Sequence, residues 1–359
     1  MTEYSEINTD KMRKFCEKIF ESYGFNQEKC RIITDVLLRA DLYGIESHGV
    51  QRMIRYHNEI TSGMVDVNAT PEIIHETPIS AVMDANKSMG QLASTTAMKI
   101  AIEKAKKSGC GMVSVRNSNH YGIAGYYSNM AADEDFMGIC MTNSESIAVP
   151  TFGRQAMLGT NPIALAMPAD PINFSFDAAT TVVPRGKLEV YNKSGKTLPD
   201  QWAMDSSGFP CSNAGEVLNN IIHKIGGGIA PLGGVGDLNG GHKGYGLGII
   251  VEIFTALLSG GMTSNYVNTK PALNGICHYH MAVDYGIFGN KAEIKKSISA
   301  FLQELRNSRK AEGKDRIYTH GEKEYEMMAL RVKGKIPVNE KTLAEFRDIS
   351  KKQGVDWGL

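Results

Sequence analysis

The chain has 359 residues, 42% hydrophobic and 22% charged, a globular composition too long for one average domain and ordinary for a two-domain enzyme. Lys plus Arg and Asp plus Glu number 39 each, so the formal net charge is zero. That argues against nucleic acid or an anionic membrane as the main partner, because both demand a basic surface. The six cysteines (Cys16, Cys30, Cys110, Cys140, Cys211 and Cys277) form no CxxC pair and match no zinc spacing, so no metal is expected. Without a signal-peptide pattern at the N-terminus, reduced thiols in a cytoplasm are the expectation.

The first 62 residues read as helices. Lys11 to Tyr23 carries Met12, Phe15, Cys16, Ile19 and Phe20 on one stripe. Asn26 is an N-cap for a second helix bearing Ile32, Ile33, Val36, Leu37 and Leu38, which Gly44 ends. Ser47 then caps a third helix running from about His48 to Ile60 and stopping near Gly63. From about residue 78 strands and helices alternate. SAVMDA (80–85) and GMVSVRN (111–117) read as strands around a helix from Leu92 to Lys107, and another helix begins near Gly122. Segments 136–143, 161–168 and 173–180 are further strands. A glycine-rich run (226–248) feeds an apolar helix ending near Leu258, too short to span a bilayer and expected to be buried in the core. ICHYHMAVDY (276–285) alternates like a strand, 292–305 is helical, and the charged tail is helical near its end. The expected class is α/β (α+β). A helical region, 1–77, joined by the tail 308–359, packs on an α/β domain, 78–307, with a mixed sheet.

Several stretches carry polar groups in suggestive places. In ESHGVQRMIRY (46–56) a helix from His48 would put His48, Arg52 and Tyr56 on one drifting face. Histidine is readily tuned for proton transfer, and arginine offers a planar fork for a carboxylate. On spacing alone, a capped surface helix explains the same residues. His120 in RNSNHYGIAGYY stands at a strand-to-helix turn, where functional groups are often displayed. Thr160 and Asn161 form a turn into a strand and reach either a ligand or their own backbone. Asp177, followed by Ala178, Ala179 and Thr180, leaves room for a nucleotide and could accept from ribose hydroxyls; Lys187 could meet an anion. The glycine-rich run fails the Rossmann fingerprint, since Asn239 stands where a third glycine is required. It fails the P-loop pattern as well, because Gly244 follows Lys243. What remains is a helix start with glycines and a lysine, suited to an anion or to close packing. His278 and His280 share one strand face, and two histidines without a third ligand make a poor metal site.

Taken together and in order, RADLYGIESHGVQR, NSNHYGIAGYY, GTNPIALAMP, FDAATT with the following GK, and GHKGYGLG resemble the type 2 malate/L-lactate dehydrogenase family. The resemblance runs from about residue 8 to residue 330. It implies an NAD(P)-dependent oxidoreductase with a nucleotide-binding fold that is not a Rossmann domain. It also implies a homodimer with the active site near the subunit interface. Hydride would pass between the nicotinamide and the carbinol carbon of a 2-hydroxy acid, with malate and oxaloacetate the favoured pair. Ureidoglycolate or lactate oxidation, or reduction of cyclic imines and keto acids, are the alternatives within the family; a nucleotide-binding protein that has lost catalysis is the alternative outside it. By motif, His48 and His120 are the two candidates for the proton carrier. Arg52 would bind the substrate carboxylate, with Ser47 and Tyr56 lining the same pocket, Thr160 facing substrate or nicotinamide, and Lys187 or Arg185 available for a second carboxylate. The cofactor, NAD with NADP open, would touch Ser144, Asp177, Ala178, Ala179, Lys243, Gly244, Gly321, Glu322 and Lys323. The extra glycines of 226–241 depart from the family pattern.

Overall fold

The computed structural model describes residues 4–359. The chain opens with β1 (Tyr4–Asn8), α1 (Thr9–Ser22), α2 (Gln27–Leu42) and α3 (Met53–Thr61). It continues through β2 (Glu72–Glu76), β3 (Ser80–Asp84), α4 (Gly90–Ser108), β4 (Cys110–Ser118), α5 (Ala124–Asp133), β5 (Met137–Thr142), β6 (Ile163–Met167) and β7 (Phe174–Ala178). Next come α6 (Arg185–Lys193), β8 (Ala203–Met204), α7 (Ala214–His223), β9 (Gly228–Ile229), α8 (Gly241–Glu252) and β10 (Ile276–Val283). The last elements are α9 (Lys291–Asn307), α10 (Glu322–Arg331), β11 (Lys335–Asn339) and α11 (Glu340–Gln353).

Side-chain caps start the first helices: Asn8 accepts from the Lys11 N–H and Asn26 from the Lys29 N–H. The stripe on α1 (Met12, Phe15, Ile19, Phe20) meets Ile33, Leu37 and Leu38 of α2, Met53 and Tyr56 of α3, and Leu343, Phe346 and Ile349 of α11 in one apolar cluster. β1 pairs antiparallel with β11, so the two ends of the chain are stitched together beside this cluster.

The central sheet has the order β2-β3-β4-β10-β5-β6-β7. Only β3 and β4 pair in parallel; the other neighbours run antiparallel. Small and apolar residues of α4 (Ala97, Met98, Ala101) and α5 (Tyr127, Ala131) cover one face, and Val251 and Phe254 pack against Met141 and Tyr279 on the other. This topology brings the C-terminal ends of β3, β4, β5 and β7 and the starts of β6 and β10 to a single edge. Loops leaving that edge carry His120, Ser144, Thr160 and Ala179. A separate small lobe of α6, α7, β8 and β9 packs around Leu188, Leu198, Val217 and Ile221. Among the described residues, no helix is long and apolar enough to cross a membrane.

Two expectations need correction. The third helix does not begin at His48. Residues 46–48 and 50–52 form two short 3-10 turns, broken at Gly49, where the backbone is extended. The Ser47 hydroxyl does not cap a helix; it lies 2.9 Å from His48 Nδ1. The cause sits in α2: the Asp41 carboxylate accepts the Val50 N–H at 2.7 Å and occupies the place a Gly49 side chain would need, only 2.0 Å from an ideal Cβ. The apolar helix α8 is not buried all round either. Leu247, Ile250, Ile253, Leu257 and Leu258 are exposed along it. Past Glu252 it widens into a π turn, Ile253–Leu257, where the Thr255 hydroxyl donates to the Val251 carbonyl at 2.7 Å.

Candidate active site

The breaks at residues 46–52 set the geometry of the first half of the site. Arg331 from α10 donates to the Asp41 carbonyl at 2.5 Å and pairs with Glu46 at 2.8 Å, so the turn is fixed from both sides. His48 is thereby laid against His120, with ring centroids 5.7 Å apart and planes 25° from parallel. His120 is held from below: the Tyr56 hydroxyl lies 2.8 Å from its Nδ1. Its predecessor Asn119 donates to the Lys87 and Ser88 carbonyls at 3.0 and 2.9 Å and accepts from Asn274 at 2.6 Å. Asn274 also donates to Glu59, which pairs with Arg55 at 2.8 Å. These bonds pin the loop that holds His120.

Electrostatics keep both histidines neutral. Burial pushes His48 down to about 4, and the charges of Arg52 and Arg55 push the same way. His120 lies well below the ordinary range, again through burial first, then Arg55, His48 and Arg52. Arg52 donates from Nε to the Ser47 carbonyl at 2.6 Å. Among the described residues no carboxylate lies within ion-pair reach of it. Burial and Arg55 lower its own affinity for a proton, while Glu189 acts against them. A guanidinium held close to two neutral imidazoles, with its fork uncommitted, is a receptor for a carboxylate.

The second half is a cleft of about 280 Å³ walled by Tyr43, Ile45, Ile123, Tyr318 and His320 and floored by Asp177, Gly321 and Lys323. Ile45 and Ile123 each lie three residues along the chain from one of the two histidines, which do not themselves line this cleft. Asp177 accepts the Gly125 N–H at 2.7 Å at the start of α5, where a carboxylate complements the helix dipole. Burial against the cleft wall still pushes its carboxyl up to about 6. Asp177 lines the cleft, and hydrogen bonding from the Gly125 and Ala124 N–H groups pulls its carboxyl the other way. Gly321 has φ +99°, and a Cβ there would lie 3.1 Å from Ser175, so only glycine lets the 318–321 loop lie on β7.

A third cluster stands at the same sheet edge. The Ser144 hydroxyl accepts the Thr160 N–H at 3.1 Å, and the absent side chain of Gly159 makes room for it. Behind them the buried Glu252 carboxylate binds the Asn161 amide at 2.8 Å, the Asn143 amide at 3.3 Å and the hydroxyl of Ser264. Asn161 adopts φ +40° within this hub.

Not every expected contact lies where the sequence put it. Tyr56 is fully buried, so it supports His120 instead of lining the substrate pocket. Glu322 is spent on Arg306, on Arg316 and on the Thr319 N–H at 3.0 Å, and it shapes the loop beside the cleft. Gly244 packs against the backbone of Leu232, 2.3 Å from an ideal Cβ, and Lys243 beside it is exposed. Lys187 is exposed, with its ammonium 5.7 Å from the Tyr191 ring; it is Arg185 of the same helix whose charge reaches Arg52.

Residues 7–347 match the family described as Malate/L-lactate dehydrogenase. The chain belongs to that family. It is 45% identical over 353 residues to the malate dehydrogenase of Pyrococcus abyssi, covering 98% of this chain and 96% of that one. It is 33% identical over 353 residues to the malate/(S)-sulfolactate dehydrogenase of Methanothermus fervidus, covering 98% of each. The fold superposes on the crystal structure of malate dehydrogenase from Entamoeba histolytica with a TM-score of 0.95 at 38% identity, covering 99% of this chain and 100% of that one.

In this dehydrogenase Asn119, Asn274, Glu59 and Glu252 act from behind the site, and none of them is among the candidate site residues of the sequence. A charged residue inside an otherwise apolar run was the one available signal, because burying it requires partners.

Proposed function

We propose that this dehydrogenase oxidises L-malate, or reduces oxaloacetate, with a nicotinamide cofactor. The observation that carries the reading is the neutral pair His48 and His120 beside the uncommitted Arg52. The Arg52 fork takes the carboxylate next to the reacting carbon; Arg185, which pairs with Glu189 at 3.2 Å, would have to exchange that partner to meet a second carboxylate. In the oxidative direction the substrate hydroxyl gives its proton to Nε2 of His120, whose Nδ1 is held by Tyr56. His120 fits the proton carrier better than His48, because a base works best when a third group orients it, and the partner of His48 is only the exposed Ser47. His48 then contacts the substrate oxygen from the other side, with Ser47 and Thr160 completing the pocket.

The Asp177 carboxylate lining the cleft, the aromatic walls and the glycine at 321 suit a dinucleotide, which Asp177, Ala178, Ala179, Lys323 and Ser144 would hold. Lys243 is available at its outer margin. When bound, its nicotinamide supplies the acceptor or donor of the hydride. Asp177 offers ribose hydroxyls an acceptor and a 2′-phosphate a repulsion, which supports NAD over NADP. A sheet with a single parallel pairing supports a nucleotide site outside the Rossmann plan. With the chain divided into 1–77 with 308–359 and 78–307, this cleft would lie between the two units. The open apolar face of α8 supports a homodimer, read directly by sedimentation, and six unpaired cysteines suit the cytoplasm.

The test is a spectrophotometric screen of 2-hydroxy and 2-keto acids with NAD(H) and NADP(H), with ureidoglycolate and cyclic imines included. Fastest turnover with malate and oxaloacetate supports the reading. Turnover with none of the acids overturns it.

A further inference from the structure

Glu252 is buried at the end of α8, and every group that bonds to its carboxylate is neutral. One oxygen accepts the Asn161 amide at 2.8 Å and the Ser264 hydroxyl. The other accepts the Ser264 N–H at 3.2 Å and the Asn143 amide at 3.3 Å. The remaining bonds of the two amides fix these directions. Asn143 Oδ1 accepts the Cys277 N–H at 2.8 Å, so its nitrogen faces Glu252. Asn161 Nδ2 also donates to the Gly248 carbonyl at 3.1 Å, which orients that amide in the same sense. Glu252 therefore only accepts, the role of a carboxylate that carries its charge. Among the described residues no lysine, arginine or histidine pairs with it. A buried charge is costly unless it is paired. Four neutral donors replace the hydration of Glu252 and leave its charge without a counter-ion.

The place of Glu252 in the fold shows what would supply one. Asn143 leads directly into Ser144, and Asn161 directly follows Thr160; the hydroxyls of Ser144 and Thr160 lie 3.4 Å apart at the sheet edge. This is the edge where Ser144 would hold the cofactor. The oxidised nicotinamide ring is cationic, and the reduced ring is neutral. We propose that Glu252 favours the oxidised over the reduced dinucleotide through its charge, acting from behind Ser144 and Thr160. Its burial keeps water and salt from screening that attraction as they do at a surface. The bonds from Glu252 also hold the turns at 143–144 and 160–161, so it has a structural task as well. The two tasks have different signatures. Loosening the turns weakens both forms of the dinucleotide alike, whereas losing the charge weakens the oxidised form alone.

This rests on the dinucleotide reading, and the test separates the two ideas. Affinities are measured by titration calorimetry at a fixed, mildly alkaline pH without substrate. The ligands are NAD+ and NADH, or NADP+ and NADPH if the wild type binds that pair more tightly. Glu252→Gln keeps the size of the side chain and removes the charge. It should raise Kd for the oxidised form roughly tenfold more than Kd for the reduced form. That change moves the potential of the bound two-electron couple up by about 30 mV. Glu252→Asp keeps the charge and shortens the reach, so both Kd values should rise together, with their ratio within about twofold of the wild type. Ser264→Ala serves where the Gln variant does not fold. Removing one neutral donor leaves the charge less neutralised, and should shift the ratio roughly two- to threefold toward the oxidised form. A ratio unmoved in Glu252→Gln, or in Ser264→Ala where the Gln variant does not fold, overturns the proposal while the dinucleotide reading stands. So does a ratio that falls as far in Glu252→Asp as in Glu252→Gln. Binding of neither pair by the wild type removes the dinucleotide reading and this inference with it.

Discussion

The turn at 46–52 and the run at 226–248 are both built on glycine, and they use it in opposite ways. At Gly49 the missing side chain admits a carboxylate, Asp41, which bends the chain so that His48 faces His120. In the long run the missing side chains admit backbone. Gly233 lies on Gly240, Gly241 on the carbonyls of Gly234 and Gly236, and Gly244 on Leu232. Leu232 itself donates to the Thr180 carbonyl at 2.9 Å. The first region aims a functional group. The second folds a loop on itself and fastens it beside β7. The richer glycine signal therefore belongs to the scaffold, and the sparser one to the chemistry.

Variants can break this contrast. The largest effect is expected at the aimed group: His120→Asn should lower kcat for malate oxidation about 10²–10⁴-fold in steady-state assays, the range for losing a general base. Arg52→Ala should follow, with kcat/KM falling roughly 10–150-fold, the worth of one charged hydrogen-bonded contact of about 1.5–3 kcal/mol. The two glycines sharpen the comparison further. Gly49→Ala must displace Asp41 or the turn, and should lower kcat about tenfold or more in addition to an overpacking cost of about 1–3 kcal/mol. Gly244→Ala should destabilise by about 1–3 kcal/mol, as overpacking does, with kcat of the folded fraction nearly unchanged. Calorimetry and kinetics on the same samples check both. Should Gly244→Ala impair turnover more than Gly49→Ala does, the division of labour between the two regions is wrong.

Much of the fold was readable where the signal was local. The Asn26 cap, the strands at 80–85, 111–117 and 276–285, and the helix ending near Leu305 depend on neighbours within a few residues. The start of α3 was not readable, because the side chain that spoils an earlier start, Asp41, belongs to another helix. The β1–β11 ribbon was hidden for a related reason: its strands are five residues each and their partners lie at opposite ends of the chain. The apolar face of α8 gave a burial signal that a single chain does not satisfy. For the site, the ordered motifs pointed to His48, Arg52 and His120, which the fold brings together. The supports of His120 were invisible because Asn119 and Asn274 act through loop contacts between residues far apart in the chain, which no spacing encodes.

The central claim is that a neutral histidine, kept so by burial and by Arg52 and Arg55, receives the substrate proton. The most direct test is the pH dependence of kcat/KM for 2-hydroxy-acid oxidation. A base whose protonated form is already disfavoured in the free enzyme stays available well below the ordinary histidine range, as the lowered His48 and His120 both indicate. The account predicts a rate within about twofold between pH 8 and pH 6, with an acid limb below that which disappears in His120→Asn. A limb centred near 6.5, unmoved by replacing His120, would contradict it.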